Sequence, residues 1–267
     1  MPSPLLYSHA GQPSRPLRVL LTRPREQSDD TAQWIRSLGG EPLLFPCLRV
    51  EPIDDPALRV AAGELAHYDA VALTSVQAVR ALLPLVPPDA RWPLLVVIGH
   101  KTAAELLRHG VSADVVLNGE MATASALATE LMRFLGPSSE RRRVLFPQAA
   151  EGRDELPNLL RAAGLSIERF AAYRTVAVSF DELQPAAGLL RAGQVDLVPL
   201  GSPRTAQVLL HALGSDASQV LSQTLVGAIG QTTCRALREL NVRVDVVAEQ
   251  PSFEDLIEKL AAVQKRS

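Results

Sequence analysis

The amino-acid sequence of this chain repeats itself. Residues 97–116, VIGHKTAAELLRHGVSADVV, align with residues 228–247, AIGQTTCRALRELNVRVDVV, at a shift of 131. Ile98 then matches Ile229, Gly99 matches Gly230, Thr102 matches Thr233, Leu106 matches Leu237, and Asp114-Val115-Val116 matches Asp245-Val246-Val247. Residues 68–83 align with 195–210 at a shift of 127, pairing Asp69 with Asp196, Leu73 with Leu200 and Ser75 with Ser202. Residues 18–45 align with 143–170 at a shift of 125, with Gly39/Gly164 and Phe45/Phe170 as fixed points. Gly110 faces Asn241, the two residue types that close a helix in the left-handed conformation. Three segments in one order, with the shift drifting only from 125 to 131, indicate an internal duplication.

Each repeat reads as a short apolar strand, a turn and an amphipathic helix, and then the same again: VLLT with a helix to Gly39, AVALTS with QAVRALL, LVVIG with KTAAELLRHG, DVVL with ATASALATELMRFL. Short apolar runs alternating with helices are the pattern of parallel strands joined by crossover helices and buried on both faces. The sequence therefore predicts an α/β architecture of two doubly wound parallel-sheet domains. A length of 267 residues agrees, at about 150 residues per domain. A hydrophobic fraction of 47% with 21% charged residues excludes disorder, collagen-like repeats and disulfide scaffolds. A net charge of -2 leaves no basic excess and argues against nucleic-acid binding.

Two cysteines, Cys47 and Cys234, are too few for a Cys-rich metal site and read as reduced buried thiols in a cytoplasmic protein. Residues 1–16 have neither the basic start nor the apolar run of a signal peptide and read as a flexible tail. The strongest short apolar run is LLVVI at 94–98, far short of the roughly 18 residues a membrane span needs. Of the 27 cationic residues only Lys101, Lys259 and Lys265 are lysine. Arginine is the better planar partner for carboxylates, although GC-rich coding gives the same bias.

In open parallel sheets, ligands bind beyond the carboxyl ends of the strands, where turns present free N–H groups and helix N-termini. The candidate turns are Thr22-Arg23-Pro24, Thr74-Ser75, Gly99-His100-Lys101-Thr102, Gly201-Ser202-Pro203 and Gly230-Gln231-Thr232-Thr233. Ordinary N-capping explains many of their hydroxyls. It does not explain a Gly three residues before a Thr twice over, an arrangement that lets backbone approach an anionic or polar ligand. The chain has no G-x-G-x-x-G, Walker A, G-x-S-x-G or H-E-x-x-H motif, and its five histidines show no metal-ligand spacing. His100 and Lys101 lie in a candidate turn, but a solvated role at a helix start explains both. Tyr173 ends the strand-like IERFAAYRT. A strand tyrosine ordinarily packs its ring and leaves its hydroxyl at the surface, while as a functional group that hydroxyl can protonate or orient a leaving group.

Taken together, VLLTRP, TSVQAV, VIG-x-x-TA, GRDELPNLLRAAG running into Tyr173-Arg174-Thr175, GSPRTA and AIG-x-TT resemble uroporphyrinogen-III synthases over about residues 18–260. The resemblance implies a cytoplasmic, monomeric hydro-lyase of porphyrin biosynthesis serving haem, sirohaem or cobalamin. Its substrate would be hydroxymethylbilane, a many-carboxylate linear tetrapyrrole, closed with loss of water and inversion of ring D through a spiro intermediate. No cofactor or metal is implied, nor a nucleic-acid or membrane partner; a transient contact with the preceding pathway enzyme is the protein partner it allows. It also implies a discontinuous domain of 17–47 with 177–267, an inserted domain of 52–171, FPCLRVEP and FAAYRTVA as two strand-like connectors, and an active site in the cleft between the domains.

By that resemblance, position by position, Tyr173 would take the catalytic place, helping the hydroxyl depart, and Ser75, Thr102, Ser202 and Thr233 would meet substrate; Thr22, Arg23 and Arg153 are the further expected substrate ligands. Two positions depart from the family: Gly201 stands where Thr is common before Ser-Pro, and FPQAAEGR lacks the Arg-Gly that often follows its strand, which bears on Arg153. An acidic protein holding a polyanion must rely on local N–H groups and on arginines such as Arg23, Arg153 and Arg174, not on its net field. A tyrosine with an ordinary pKa of about 10 is a modest acid, so control of substrate conformation carries much of the task. The rival readings are a non-catalytic two-domain binding or sensing protein and a nucleotide-sugar transferase. The chain is short for the latter and lacks an acidic partner for a ribose.

Overall fold

Alternating strands and helices run the length of the chain in the computed structural model, which describes Leu6, residues 15–136 and residues 142–265. In order they are β1 (Arg18–Leu21), α1 (Arg25–Ser37), β2 (Glu41–Leu44), β3 (Leu48–Pro52), α2 (Pro56–Gly63), β4 (Ala70–Leu73), α3 (Val76–Leu82), β5 (Leu94–Ile98), α4 (His100–Arg108), β6 (Val115–Leu117) and α5 (Ala124–Leu135). Then come β7 (Arg143–Ala149), α6 (Glu155–Ala162), β8 (Ser166–Ala177), α7 (Phe180–Arg191), β9 (Leu197–Leu200), α8 (Pro203–Leu213), α9 (Ala217–Leu221), β10 (Leu225–Ala228), α10 (Gln231–Glu239), β11 (Val246–Val247) and α11 (Phe253–Gln264).

The chain divides into two units, cut at Arg49/Val50 and again at Thr175/Val176. One unit holds a five-stranded sheet ordered β2-β1-β9-β10-β11, and the other a six-stranded sheet ordered β3-β8-β7-β4-β5-β6. Read through the sequence repeat, β2-β1-β9-β10-β11 and β8-β7-β4-β5-β6 are the same order of equivalent strands, with parallel pairing throughout. Each sheet thus joins the first strand pair of one repeat to the remaining three strands of the other.

Period-two alternation buries both faces of each sheet. In β1, Leu20 packs into a cluster with Val198, Leu200 and Val226, while Val19 and Leu21 face Ile35, Leu256 and Leu260. In the other sheet Val71, Leu73, Leu95 and Val97 face one way, and Ala70, Ala72 and Val96 the other. The repeated aspartates fasten the amino ends of these strands. Asp69 accepts from the Arg143 N–H at 2.8 Å and Asp196 from the equivalent Arg18 N–H at 2.7 Å. Asp114 and Asp245 accept in the same way from Leu95 and Val226. They lie at the opposite strand ends from the candidate turns and are explained by the fold alone. Gly110 and Asn241 both close their helices at positive φ, and Asn241 is the one non-glycine residue to do so among the described residues.

Two expectations need correction. Within the stretch read as a flexible tail, the described residues are docked. Leu6 is fully buried and exchanges backbone hydrogen bonds with Leu38 and Leu17, because its apolar side chain completes the cluster beneath α1 and α11. Arg15 forms a two-pronged pair with Asp196; the rest of that stretch lies outside the described residues. Tyr173 does not end its strand, since β8 continues to Ala177. In the other copy, Pro46 stands where β8 has Ala171 and cannot donate to a ladder, so β2 stops and β3 begins afresh.

Candidate active site

In the unit of residues 50–175, the carboxyl end of β4 delivers Ser75 to the N-cap of α3, with extended φ and ψ and its Oγ accepting from the Ala78 N–H at 3.1 Å. Tyr173 reaches the same point from β8. The register of β8 on β7 slips between Gln148/Ala149, so that Gln148 pairs with Ala171 and Ala149 with Tyr173, leaving Ala172 as an extra residue. A bulge re-aims the side chain that follows it. Here buried Ala172 and half-buried Tyr173 both face the same apolar cluster, which successive residues of a regular strand do not do. The outcome is a Tyr173 hydroxyl 3.0 Å from Ser75 Oγ.

In the same unit, Gly99 sits at φ 89 at the N-cap of α4, with Thr102 buried one turn on. At the end of β7, the buried Gln148 amide, with its oxygen turned toward Arg169, accepts from that guanidinium's Nε and Nη2 at 2.8 Å each. Arg169 also pairs with Asp154. Gly152 folds over this group, where a Cβ would lie 2.3 Å from the Gln148 amide. Arg153 is exposed beside it, with no ion pair among the described residues.

In the unit of residues 1–49 and 176–267, β1 is followed by Thr22, which is fully buried and whose Oγ1 has no hydrogen-bond partner among the described residues. Arg23 follows, half-buried, its guanidinium 4.3 Å from the centroid of the Phe253 ring and one Nη2 donating to Gln27 at 3.2 Å. Burial pulls its pKa down from the ordinary arginine value, opposed by attraction to Glu254. Desolvation pushes the Glu254 carboxyl up, but the Ser252 hydroxyl, its own helix-start N–H, Arg23 and Thr31 outweigh it and hold the group below the usual range. Ser202 caps α8, accepting from the Thr205 N–H at 3.1 Å with its Oγ 2.8 Å from Thr205 Oγ1. Thr233 is buried in the first turn of α10 after Gly230, whose φ of -179 is plain extended backbone.

The family model described as uroporphyrinogen-III synthase HemD matches residues 29–258. The chain belongs to the uroporphyrinogen-III synthase family. It is 31% identical over 253 residues to a provisionally named uroporphyrinogen-III synthase of Methanothermobacter thermautotrophicus, covering 91% of this chain and 97% of that one. It is 25% identical over 258 residues to the uroporphyrinogen-III synthase of Chlorobaculum parvum, covering 90% and 97%. The crystal structure of uroporphyrinogen-III synthetase from Helicobacter pylori shares the fold, with a TM-score of 0.57 at 18% identity over 93% of this chain and 99% of that one.

Within this uroporphyrinogen-III synthase family member, the structure brings Tyr173 and Ser75 into contact, sets Thr22 and Arg23 together after β1, and places Thr102, Arg153, Ser202 and Thr233 in the turns or first helical turns that follow β5, β7, β9 and β10. Arg174 is not an open ligand, because it pairs with Glu51 at 3.1 Å. His100 is exposed at the start of α4. Phe253 and Glu254 were not legible as site residues. The signal that could have found them is Gly201, the departure from the family pattern, where a Cβ would lie 2.8 Å from Phe253 Cζ. Among the described residues no helix is long and apolar enough to cross a membrane. Both cysteines are free and buried, and burial pushes the Cys47 thiol up to about 12.

Proposed function

We propose that the protein is a cytoplasmic, monomeric uroporphyrinogen-III synthase, a hydro-lyase that closes hydroxymethylbilane with inversion of ring D. Its product would feed haem, sirohaem or cobalamin formation. The observation that carries this reading is the Tyr173–Ser75 contact at 3.0 Å, in a chain of this family. Ser75 Oγ already accepts the Ala78 N–H, so its own proton is available to the Tyr173 oxygen. Tyr173 then gives its proton to the terminal hydroxyl of the bilane, which leaves as water, and the serine hydrogen bond steadies the phenolate. The resulting azafulvene cation attacks the substituted carbon of ring D to form the spiro intermediate. That intermediate fragments and recloses with ring D inverted, and the proton lost in the last closure returns to Tyr173. One water is released and no redox change occurs.

Carboxylate binding falls to Arg23 and Arg153, to the hydroxyls of Thr22, Thr102, Ser202 and Thr233, and to the N–H groups opening α4 and α10. Because the bilane can cyclise unaided to the uninverted isomer, holding a folded substrate matters more than acid strength. The deciding assay supplies purified protein with freshly made hydroxymethylbilane and resolves the oxidised porphyrin isomers. The type III isomer is expected; the type I isomer alone, as in a protein-free control, would overturn the assignment and favour a non-catalytic binding protein.

A further inference from the structure

The two sheets present equivalent strand ends, so positions where they differ mark what one unit does and the other does not. Three such differences meet at one corner. Arg23 is replaced in the other repeat by Gln148, Gly201 by Thr74, and Phe253, the first residue of α11 after its Ser252 cap, by Ala124, the first residue of α5 after its Thr123 cap.

The three changes are sterically linked. A Cβ on Gly201 would lie 2.8 Å from Phe253 Cζ and 3.0 Å from Cε2, so the buried ring fits only because residue 201 has no side chain. The φ of Gly201 is not in the left-handed region, so backbone conformation does not demand glycine there. The ring is therefore the reason for the glycine. What it contributes is a face under the Arg23 guanidinium, at 4.3 Å from its centroid. A guanidinium carries five N–H donors, and among the described residues only Gln27 engages one of them. Arg23 is thus a half-buried cation with most of its donors uncommitted, in contrast to Arg169 and Arg174, which are tied to carboxylates.

We propose that Phe253, admitted by Gly201, is a positioning residue that holds the Arg23 guanidinium flat and partly desolvated so that its free edge takes a carboxylate of the substrate. The proposal rests on reading Arg23 as a substrate ligand. Stacking restricts the arginine to one plane, which lowers the entropy lost when a planar two-pronged bond to a carboxylate forms. Glu254 holds the cation from the same helix turn without forming an ion pair with it, and is itself fixed by Ser252 Oγ at 2.7 Å and Thr31 Oγ1 at 3.5 Å.

The test is steady-state kinetics on hydroxymethylbilane, with melting curves, for Arg23→Ala, Phe253→Leu, the two combined, Gly201→Thr, and Gly201→Thr with Phe253→Ala. Arg23→Ala should raise KM by about ten-fold or more with kcat little changed, the mark of lost uniform binding by a charged hydrogen-bonding group. Phe253→Leu should raise KM several-fold in the native background but have no further effect once Arg23 is absent. Gly201→Thr alone should melt lower. Adding Phe253→Ala, which reproduces the small-residue arrangement of the other unit, should recover the melting temperature while KM stays high. An unchanged KM in Arg23→Ala removes the premise. An intact KM in Phe253→Leu beside a raised KM in Arg23→Ala, equal effects of Phe253→Leu with and without Arg23, or recovery of KM in the Gly201/Phe253 double variant overturns the positioning role while leaving Arg23 as a ligand.

Discussion

Tyr173 and Ser75, 98 residues apart in sequence, hold their side-chain oxygens 3.0 Å from each other. One is aimed by a strand bulge and the other by a helix cap, so neither needs the contact to keep its place. Replacing Tyr173 with Phe therefore should lower turnover by at least about ten-fold, and by about 100- to 10,000-fold if the full contribution of a general acid is lost. Loss of one partly buried neutral hydrogen bond should cost only about 0.5–1.5 kcal/mol of stability. Turnover and melting temperature measured on the same preparation check this. A large melting shift with a matching loss of turnover would return Tyr173 to a packing role.

Ser75→Ala has two consequences with different readouts. It removes the N-cap of α3, which costs about 1 kcal/mol, and it removes the hydroxyl that shares a hydrogen bond with the tyrosine oxygen. Turnover should fall in the same direction as for Tyr173→Phe, and the double variant should be little slower than Tyr173→Phe alone, because both substitutions break one relay. Multiplicative losses in the double variant would show that the two hydroxyls act separately.

The alternation of strands and helices and the duplication were legible because apolar runs and the repeated Asp and Gly positions come from local rules: Asp69 and Asp196 fix strand starts, and Gly110 and Asn241 close helices. The contact between Tyr173 and Ser75 was not legible. It depends on the extra residue Ala172, and a single-residue register slip leaves no mark in the alternation of Phe170-Ala171-Ala172-Tyr173. Arg23 and Phe253 were separated for a similar reason, since α11 lies 230 positions from Arg23 and only the missing side chain of Gly201 records their meeting. The arginine excess pointed to carboxylates in general. Which arginines are free depends on partners such as Glu51 and Asp154, contributed from elsewhere in the fold.

Glu105 should make the protein acid-labile. Its buried carboxyl accepts from Arg80 Nε at 2.7 Å and from Arg108, and the bond from Arg80 leads the causes that hold its pKa below the usual glutamate value. With the folded value below the unfolded one, the unfolded chain takes up the proton first as pH falls. The stabilisation is therefore complete above the ordinary carboxylate range and lost on descending through it toward the depressed folded value. Glu105→Gln should destabilise at pH 7, with the gap from the parent protein narrowing below about pH 4. Urea midpoints of both proteins across that range test it; a gap independent of pH would show that packing, not charge, is what Glu105 supplies.

Gly99 and Gly230 occupy equivalent places but should respond oppositely to alanine. Gly99, at φ 89 and ψ 134, lies in a region that side chains rarely adopt, so Gly99→Ala should cost about 1–3 kcal/mol. Gly230 is extended and its Cβ would meet nothing within 4 Å, so Gly230→Ala should keep or raise stability by up to about 1 kcal/mol, through a less flexible unfolded chain. Nothing within the fold then demands glycine at 230. If substrate backs directly onto the N–H groups opening α10, the added methyl should raise KM for hydroxymethylbilane several-fold in a protein that melts no lower than the parent, a separation that a purely structural glycine does not produce. An unchanged KM would remove α10 from the set of substrate-binding helix starts, while leaving Thr233 to be tested on its own hydroxyl.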